Sequence, residues 1–346
     1  MTNNLPPFSL KELKVLFDHP NPFCLAHGGF QIQIEQTKAA LEKIGCEVEW
    51  LRWWDDQQKG SLIHYFNTAS SVYLEQAHAI GMPVVMTTLF TETCNRPRSV
   101  LKLQGWLTRT FLHLPGGEGV KRQLTWRAYN ACALNVVGLA AERQVLEIVY
   151  GVSADKISEV PLGLSESFLQ AGHGKRSEDY LICTGTITDR KRSVDLARLA
   201  HLAKVPVLFV GKSYHTSDPY WTQFVRMVDG KYVKHHSHVT SEIEMIRLLQ
   251  SARGFVLMSR HENWCLSAHE AAACGLPLLV PDQKWSRERF GEEASYFTGH
   301  SARDVEVIRK FHANAVSSKA PKVKLWSWKE VAHSLISCYE RVLKTS

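Results

Sequence analysis

Short apolar runs alternate with longer amphipathic stretches along most of this chain of 346 residues. The apolar runs have the length of buried strands, whereas the amphipathic stretches repeat their apolar positions with the period of a helix. Strands that alternate with helices predict parallel, doubly wound sheets. Strands are predicted at 14–19, 46–50, 61–67, 83–89 and 134–139, and again at 180–185, 206–211, 254–258, 276–281 and 294–297. Helices are predicted at 32–44, 72–80, 140–149, 194–202, 241–251 and 268–274, and in the remainder of the chain after 297.

The pattern falls into two halves, and a chain of this length favours two domains over one. The first half closes with the apolar segment 156–164, after which residues 166–179 are polar and contain glycines. We therefore predict two Rossmann-like α/β domains at 1–165 and 180–325, with 166–179 as the linker. A cleft that faces the carboxyl ends of both sheets is the expected binding site.

The composition is that of a globular protein in a reducing compartment. Hydrophobic residues make up 45% and charged residues 22% of the chain, which excludes intrinsic disorder. No apolar run is long enough to span a bilayer, and residues 1–7 lack the basic and apolar regions of a secretory signal. The eight cysteines include no Cys-x-x-Cys pair, which indicates buried thiols in the cytoplasm. A net charge of +7 is too modest to indicate nucleic acid as a partner.

The stretch 96–127 combines basic and apolar side chains with a single acid, Glu118. This composition is typical of an interfacial contact with an anionic membrane surface, which would be peripheral to the membrane. Helices with one core face and one solvated cationic face have the same composition, and this is the preferred interpretation. Neutralising the adjacent pair Lys121 and Arg122 would distinguish the two interpretations.

Two glutamates eight positions apart, Glu262 and Glu270, stand where the chain passes from a predicted strand into a helix. The apolar run 254–258 precedes Glu262, and the alanine-rich run 268–274 contains Glu270. Both carboxylates are therefore expected at the carboxyl end of a parallel strand, where open α/β sheets bind ligands. Glutamates near a helix start also favour the helix dipole without a further role, so the pair alone leaves both interpretations open.

Two cationic segments of the second half follow predicted strands in the same way. The loop 190–192 consists of three basic residues, Arg190, Lys191 and Arg192, and suits a phosphate or diphosphate. Gly211 and Lys212 follow the next strand. Because carboxylates accept hydrogen bonds from hydroxyls, these loops together with the two glutamates describe a site for a nucleotide sugar.

The glycine pair Gly28 and Gly29 stands between the first strand and the first helix. Glycines there allow a ligand to approach the backbone and leave amides free for an anion. A tight turn without a ligand explains the pair equally well, since no full Gly-x-Gly-x-x-Gly is present.

Three histidines, His235, His236 and His238, lie close together at 232–239. Such a group can bind a metal at a strand edge. No carboxylate or cysteine partner stands nearby, so a polar loop is the preferred interpretation and no metal site is predicted.

The segment 259–280 resembles the signature of the retaining glycosyltransferases of family 4, in which two glutamates are separated by seven residues. The run Glu-Ala-x-Ala-x-Gly-x-Pro and the strand after it also agree with that signature. The segments 160–164 and 326–331, together with Glu288, are similar to the domain junction and the tail of that family. The resemblance implies the GT-B fold, in which 326–346 forms a helix that packs back on the first domain.

The resemblance also implies roles for the donor-side residues. Glu270 would accept hydrogen bonds from the ribose hydroxyls, and Glu262 would contact the transferred sugar. Backbone amides would hold the donor sugar and phosphate where Asn263, Trp264, Cys265 and Leu266 replace the family's glycine-flanked aromatic segment.

The diphosphate side is matched less completely. Lys191 corresponds to the family's diphosphate lysine. The family's Gly-Arg corresponds to Gly185 and Thr186, so that Arg190 or Arg192 would substitute for the missing arginine.

The acceptor side departs further from the family. The histidine that many members carry after the fourth strand is absent from 87–92. His64 or Glu92 would then contact the acceptor, with Gly28 and Gly29 on the acceptor or diphosphate side.

The activity implied by the resemblance is transfer of a hexose from a nucleotide-diphosphate sugar to a glycan or lipid-linked hydroxyl. The resemblance implies that no metal is required. No cofactor is implied either, since the nucleotide sugar is a substrate. Two other interpretations remain open. One is another GT-B-type enzyme, such as a nucleotide-sugar epimerase or a phosphorylase. The other is a module that binds membrane or nucleic acid through 96–127.

Lys191→Ala or Glu262→Ala is expected to lower turnover by roughly 10²-fold or more, because charge on the departing phosphate loses its stabilisation. The measurement is the rate of sugar transfer, with the folded state checked by circular dichroism. Transfer by the Lys191→Ala enzyme at nearly the parent rate would contradict the diphosphate assignment.

Overall fold

The computed structural model describes residues 13–24, 28–90 and 92–345. The prediction about residues 1–7 lies outside this part of the chain. The described residues divide into two compact units, of which the first comprises 13–24, 30–90, 92–163 and 328–345. The second comprises 28–29 and 164–327.

Twelve strands and fourteen helices follow one another in the described residues. The strands are β1 (Lys14–Asp18), β2 (Glu47–Trp50), β3 (Leu62–Phe66), β4 (Val84–Thr87), β5 (Leu134–Val137), β6 (Ile157–Glu159), β7 (Leu181–Thr184), β8 (Val207–Val210), β9 (Val233–His236), β10 (Gly254–Val256), β11 (Leu278–Pro281) and β12 (Ser295–Phe297). The helices are α1 (Gly29–Lys43), α2 (Ser71–Ala79), α3 (Arg98–His113), α4 (Glu118–Gln123), α5 (Ala128–Ala131), α6 (Ala140–Val145), α7 (Glu166–Leu169), α8 (Ser193–Ala203), α9 (Pro219–Met227), α10 (Glu242–Ser251), α11 (Leu266–Ala273), α12 (Lys284–Phe290), α13 (Ser301–Asn314) and α14 (Trp328–Thr345).

Each unit contains one six-stranded sheet. The order is β2-β1-β3-β4-β5-β6 in the first unit and β12-β11-β10-β7-β8-β9 in the second. Every strand pairing of the two sheets is parallel. The predicted doubly wound α/β architecture is therefore confirmed in both halves, because β–helix–β connections return each strand in the same direction.

The last helix, α14, completes the core of the first unit. Its side chains Val331, Leu335 and Tyr339 are buried with Val15 of β1 and with other residues of that core. The close approach at its start needs a glycine, since a Cβ on Gly163 would lie 2.6 Å from the Trp328 amide nitrogen. The chain thus enters the second unit after residue 163 and returns at 328.

The segment 166–179, which was predicted as the linker, is packed within the second unit. It begins with the short helix α7. The guanidinium of Arg176 donates hydrogen bonds to the carbonyl oxygens of Ala315, Ser318 and Gly275. A polar, glycine-bearing composition therefore marks a surface segment here, and its polar groups are satisfied by one neighbouring loop and the end of α11.

Helices α5, α7, α9 and α12 were not predicted. Helix α9 starts at a sequence signal that was missed, since the Asp218 carboxylate accepts a hydrogen bond from the Tyr220 amide and Pro219 occupies the first turn.

The three histidines around 235 lie on or after β9. His235 donates to the Gly211 carbonyl at 2.8 Å, and no group of three metal-ligating side chains occurs within the described residues.

His64, which was predicted to contact the acceptor, is fully buried in the first unit. Its Nδ1 lies 2.6 Å from the Tyr339 hydroxyl and its Nε2 lies 2.7 Å from the Thr87 hydroxyl. Burial lowers the pKa of His64 to about 3, so the imidazole is neutral. The acceptor prediction is wrong for this residue because both ring nitrogens are occupied and no solvent reaches them.

Tyr339→Phe removes one of these hydroxyls and leaves the Nδ1 of His64 unpaired in a buried position. We expect the free energy of unfolding to fall by about 1–3 kcal/mol, as measured by denaturant titration at pH 7. Tyr232→Phe is the matched control, because the Tyr232 hydroxyl bonds to no residue that the structure describes. Equal losses in the two variants would contradict a stabilising role for the His64–Tyr339 contact.

Candidate active site

The loops that follow β7 and β10 meet because these two strands are neighbours in the sheet of the second unit. The backbone ties the loops together, since the Arg260 amide donates to the Arg190 carbonyl at 2.8 Å. In return, the Arg190 guanidinium donates to the His261 carbonyl at 3.0 Å. Residues 71 positions apart in sequence are thereby fixed side by side at the carboxyl edge of the sheet.

The centre of this junction is a buried carboxylate held by two cations. Glu262 Oε1 lies 2.5 Å from Lys191 Nζ and 3.1 Å from Arg190 Nη1. The side chains of Glu262 and Lys191 are only 8% and 12% exposed. With one acid and two bases, the cluster has a net positive charge and can attract an anion.

The two buried charges stabilise each other's ionised forms. Burial acts to raise the pKa of Glu262, but the charges of Lys191 and Arg190 outweigh it, and the pKa lies below its usual value. Burial likewise acts to lower the pKa of Lys191, and the charge of Glu262 raises it above its usual value. Both groups are ionised at neutral pH. Removal of Glu262 would leave Lys191 as a buried charge without its carboxylate, and removal of Lys191 would leave the buried Glu262 with Arg190 alone.

Two glycines allow the loops after β7 and β8 to come this close. Both have left-handed backbone angles, with φ of 138° at Gly185 and 150° at Gly211. A Cβ on Gly211 would lie 2.0 Å from the Gly185 carbonyl oxygen, so no other residue fits there. The Lys191 ammonium lies over the other glycine, 3.9 Å from where a Cβ of Gly185 would be.

Helix α11 starts directly after the loop that carries Glu262. Cys265 precedes it with φ of 61°, a left-handed conformation that costs a non-glycine residue roughly 1–2 kcal/mol. Cys265 stands where the resembling family has a glycine, and its thiol is buried. The first amides of α11, those of Leu266 and Ser267, have no acceptor inside the helix and are available to an anion.

Glu270 lies one turn into α11 and differs from Glu262 in its environment. Its carboxylate is partly buried and has no hydrogen-bond or ion-pair partner among the described residues. Burial and the charge of Glu242 raise its pKa to about 7. The two glutamates therefore offer different chemistry, since Glu262 is held by cations whereas Glu270 is open to hydroxyl donors.

Sequence reasoning missed an aromatic stack beneath this loop. The buried Trp264 ring lies parallel to the His269 imidazole, with centroids 4.9 Å apart. The Arg289 guanidinium covers the ring at 4.0 Å, and His269 donates from Nδ1 to the Cys265 carbonyl at 3.0 Å. Trp264 therefore supports the loop from below, and only its backbone remains available to a ligand.

Two buried hydroxyls at strand ends were also missed. Thr184 Oγ1, at the end of β7, and Ser213 Oγ, after β8, have no hydrogen-bond partner within residues 13–24, 28–90 and 92–345. They stand next to Gly185 and Lys212, so a Ser or Thr beside a strand-end glycine or lysine was the available signal. Either hydroxyl can bond a ligand at this edge of the sheet.

Other predicted residues lie at the edges of the site or turn away from it. Arg192 pairs with Asp195 at 2.8 Å and borders a separate cavity of about 150 Å³ beside Asp282. Arg190 is therefore the arginine that joins Lys191. Thr186 and Asn263 are partly buried in the two loops, and Lys212 is exposed.

The residues predicted for the acceptor side are scattered. Gly28 has φ of 129° and precedes α1, which starts at Gly29. Glu92 is exposed at the start of a short 3₁₀ helix, Glu92–Asn95. Their proposed contacts with an acceptor stay predictions, whereas His64 is excluded by its burial.

Residues 167–310 match the family model described as glycosyl transferases group 1. No curated protein sequence matches the chain. The matched segment contains Arg190, Lys191, Glu262 and Glu270, so the match covers the whole junction just described.

Solved structures resemble the chain along almost its entire length. Sucrose-phosphate synthase from Thermosynechococcus elongatus is 14% identical, with a TM-score of 0.69 over 96% of this chain and 100% of that chain. The Anabaena protein HepE in complex with UDP-glucose is 12% identical, with a TM-score of 0.62 over 96% and 99%. AviGT4, a glycosyltransferase involved in avilamycin A biosynthesis, is 15% identical, with a TM-score of 0.59 over 96% and 99%. At these identities the likeness shows the fold, and the predicted GT-B fold is confirmed.

Glu270→Gln is expected to stabilise the protein at pH 8 and to leave its stability unchanged at pH 4. The unfolded carboxyl ionises near pH 4.5 and the folded one near 7, so ionisation of Glu270 costs stability as the pH rises through this interval. The measurement is the free energy of unfolding of both proteins at the two pH values.

Glu306→Gln on the exposed surface of α13 is the matched control and should show no comparable gain at pH 8. If Glu270→Gln were less stable than the parent at pH 8, its carboxylate would have a favourable partner after all, and the raised pKa would be wrong.

Proposed function

We propose that the chain transfers a sugar from a nucleoside diphosphate sugar to an acceptor hydroxyl, and the match of residues 167–310 to the family model of glycosyl transferases group 1 supports this. We further propose that the transferred sugar is a hexose, that its anomeric configuration is retained and that no metal ion is required. The acceptor in this proposal is a glycan or a lipid-linked glycan.

The observation that carries the proposal is the contrast between the two glutamates. Lys191 and Arg190 surround Glu262, so this corner presents fixed positive charge together with one oriented carboxylate. Glu270, by contrast, has no partner among the described residues and can accept two hydrogen bonds from vicinal hydroxyls. A diphosphate beside the cations and a ribose beside Glu270 would satisfy both halves of the site.

In the proposed transfer the bond between the anomeric carbon and the terminal phosphate oxygen breaks. The acceptor oxygen forms its bond to the same carbon on the same face, and its proton passes to the departing phosphate. Negative charge grows on the diphosphate during this step. Lys191, Arg190 and the first amides of α11 would stabilise it, the same task that metal ions perform in other enzymes.

Sugar specificity would come from Glu262 and the backbone of 263–265. The structure of HepE contains UDP-glucose, which favours a hexose donor for a chain of the same fold. The left-handed Cys265 and the buried Trp264 make this loop rigid, so the donor sugar would meet fixed backbone groups.

A panel of nucleotides and nucleotide sugars tests the proposal by thermal unfolding. A ligand that binds only the folded state raises the midpoint, and a concentration of 100 times Kd adds about 2.7 kcal/mol of stability. We expect one nucleoside diphosphate family to raise the midpoint of the parent protein. In Glu270→Gln the rise should be largely lost, whereas Glu306→Gln should behave as the parent does.

The selected donor then tests the reaction itself. Incubation with candidate acceptors should give a product whose anomeric proton coupling matches that of the donor, and excess EDTA should leave the rate unchanged. Inversion of the coupling or complete inhibition by EDTA would contradict retention or metal independence, respectively. Conversion of the donor without any acceptor would show a nucleotide-sugar epimerase instead.

A further inference from the structure

Helix α3 in the first unit is anchored by one narrow face. Leu101, Gly105 and Thr108 form that face and are buried. Its packing is close, since a Cβ on Gly105 would lie 2.2 Å from the Ile148 carbonyl oxygen. The Arg109 guanidinium donates to the same oxygen at 2.8 Å. The orientation of the helix about its own axis is therefore determined, and so is the face that it turns outward.

That outward face is apolar. Leu103, Trp106 and Leu107 are 59%, 60% and 53% exposed, and Leu114 just after the helix is 54% exposed. At about 100° per residue these side chains, together with Val100 and Phe111, cover the arc opposite the buried face. We call these six residues the α3 stripe. A helix normally turns its polar side to solvent, so an apolar face here marks an interaction surface.

A basic row borders the α3 stripe on one side. Arg98, Lys102, Arg109 and His113 fall within an arc of about 60° next to Trp106. Helix α3 contains no acidic residue. The helix therefore has the three faces of an interfacial helix: a packed face, an apolar face with a tryptophan, and a cationic border.

Three basic residues of 96–127 outside α3 are paired with acids. Lys121 is 2% exposed and pairs with Glu118 at 3.0 Å. Arg122 pairs with Glu75 at 2.7 Å, and Arg127 pairs with Glu118 at 3.0 Å. Neutralising Lys121 and Arg122 would therefore not test a membrane contact, because these charges are buried or paired with acids of the same unit.

We propose that the α3 stripe and its basic row dock on the surface of an anionic membrane. The apolar side chains enter the boundary between headgroups and acyl chains, while Arg98 and Lys102 contact anionic headgroups. A second copy of the chain is the poorer occupant. Two copies that meet through α3 offer no carboxylate from this helix to either basic row, whereas an anionic bilayer complements both the charge and the apolar stripe.

The contact lies on the membrane and does not cross it. Helix α3 has 16 residues and is about 24 Å long. Within residues 13–24, 28–90 and 92–345, no helix has the length and apolar character needed to cross a membrane. The inference rests on the exposure and charge of α3 alone, so it does not depend on the proposed sugar transfer.

Vesicle flotation with the full chain tests the proposal. We expect the protein to float with vesicles of phosphatidylcholine and phosphatidylglycerol at low salt, and to float far less with phosphatidylcholine alone. Arg98→Gln/Lys102→Gln should lower the partition coefficient on the anionic vesicles by about 30-fold, since each basic residue near the surface contributes a factor of about five and the two factors multiply. Leu103→Ser/Leu107→Ser should lower it by at least about 10-fold.

Matched controls make the same changes on the second unit. Arg198→Gln/Lys310→Gln removes two charges from side chains that are 62% and 74% exposed. Leu202→Ser/Ile243→Ser removes two exposed apolar side chains. Both control variants should float as the parent does, and all variants should keep the unfolding midpoint of the parent because every changed side chain is exposed.

Three results would overturn the proposal. The first is that the parent protein does not float with anionic vesicles. The second is that the α3 variants and their controls float equally. The third is that the parent is a dimer in sedimentation velocity and Leu103→Ser/Leu107→Ser is a monomer, which would assign the stripe to a second copy.

Discussion

The ion pair between Lys191 and Glu262 constrains the loops that surround it. A carboxylate and an ammonium that are both nearly enclosed remain ionised only while they stay in contact. The contact requires the loops after β7 and β10 to be adjacent, which the sheet order β10-β7-β8 provides. It also requires the loops after β7 and β8 to approach closely, which a glycine at 211 allows, because a Cβ there would lie 2.0 Å from the Gly185 carbonyl oxygen. The geometry of the site is thus a consequence of the requirement to pair two buried charges.

The two halves of the site respond differently to their surroundings because one carboxylate has cations beside it and the other does not. Glu262 has a lowered pKa despite its burial, since Lys191 and Arg190 outweigh the loss of solvent. Glu270 has a raised pKa because burial and Glu242 act in the same direction. An unpaired carboxylate costs stability in the free protein. Such a cost is commonly found where a ligand supplies the missing donors, which agrees with a site built for hydroxyls.

The first unit pairs the polar groups of a buried histidine, yet it exposes large apolar side chains at its surface. His64 is buried with both nitrogens bonded, so its chemistry is structural. Helix α3 does the reverse and exposes a row of large apolar side chains beside a cationic border. Residue type alone does not distinguish a core histidine from a histidine in a binding site. It does not distinguish an exposed apolar stripe from a buried one either. Their burial decides which is which.

The sequence alone determined the elements and their direction, because apolar runs and helical spacing are local properties. It also indicated that Lys191 and Glu262 stand in loops that follow strands, and that Glu270 stands in the helix after the second of these loops. Tertiary structure decided the rest. Strand order brought Lys191 to Glu262 across 71 positions, and side-chain direction selected Arg190 over Arg192. Burial removed His64 and Lys121 from the surface, and the rotation of α3 about its axis turned one apolar arc outward. These outcomes depend on which residues become neighbours in space, a property that no local window of the sequence contains.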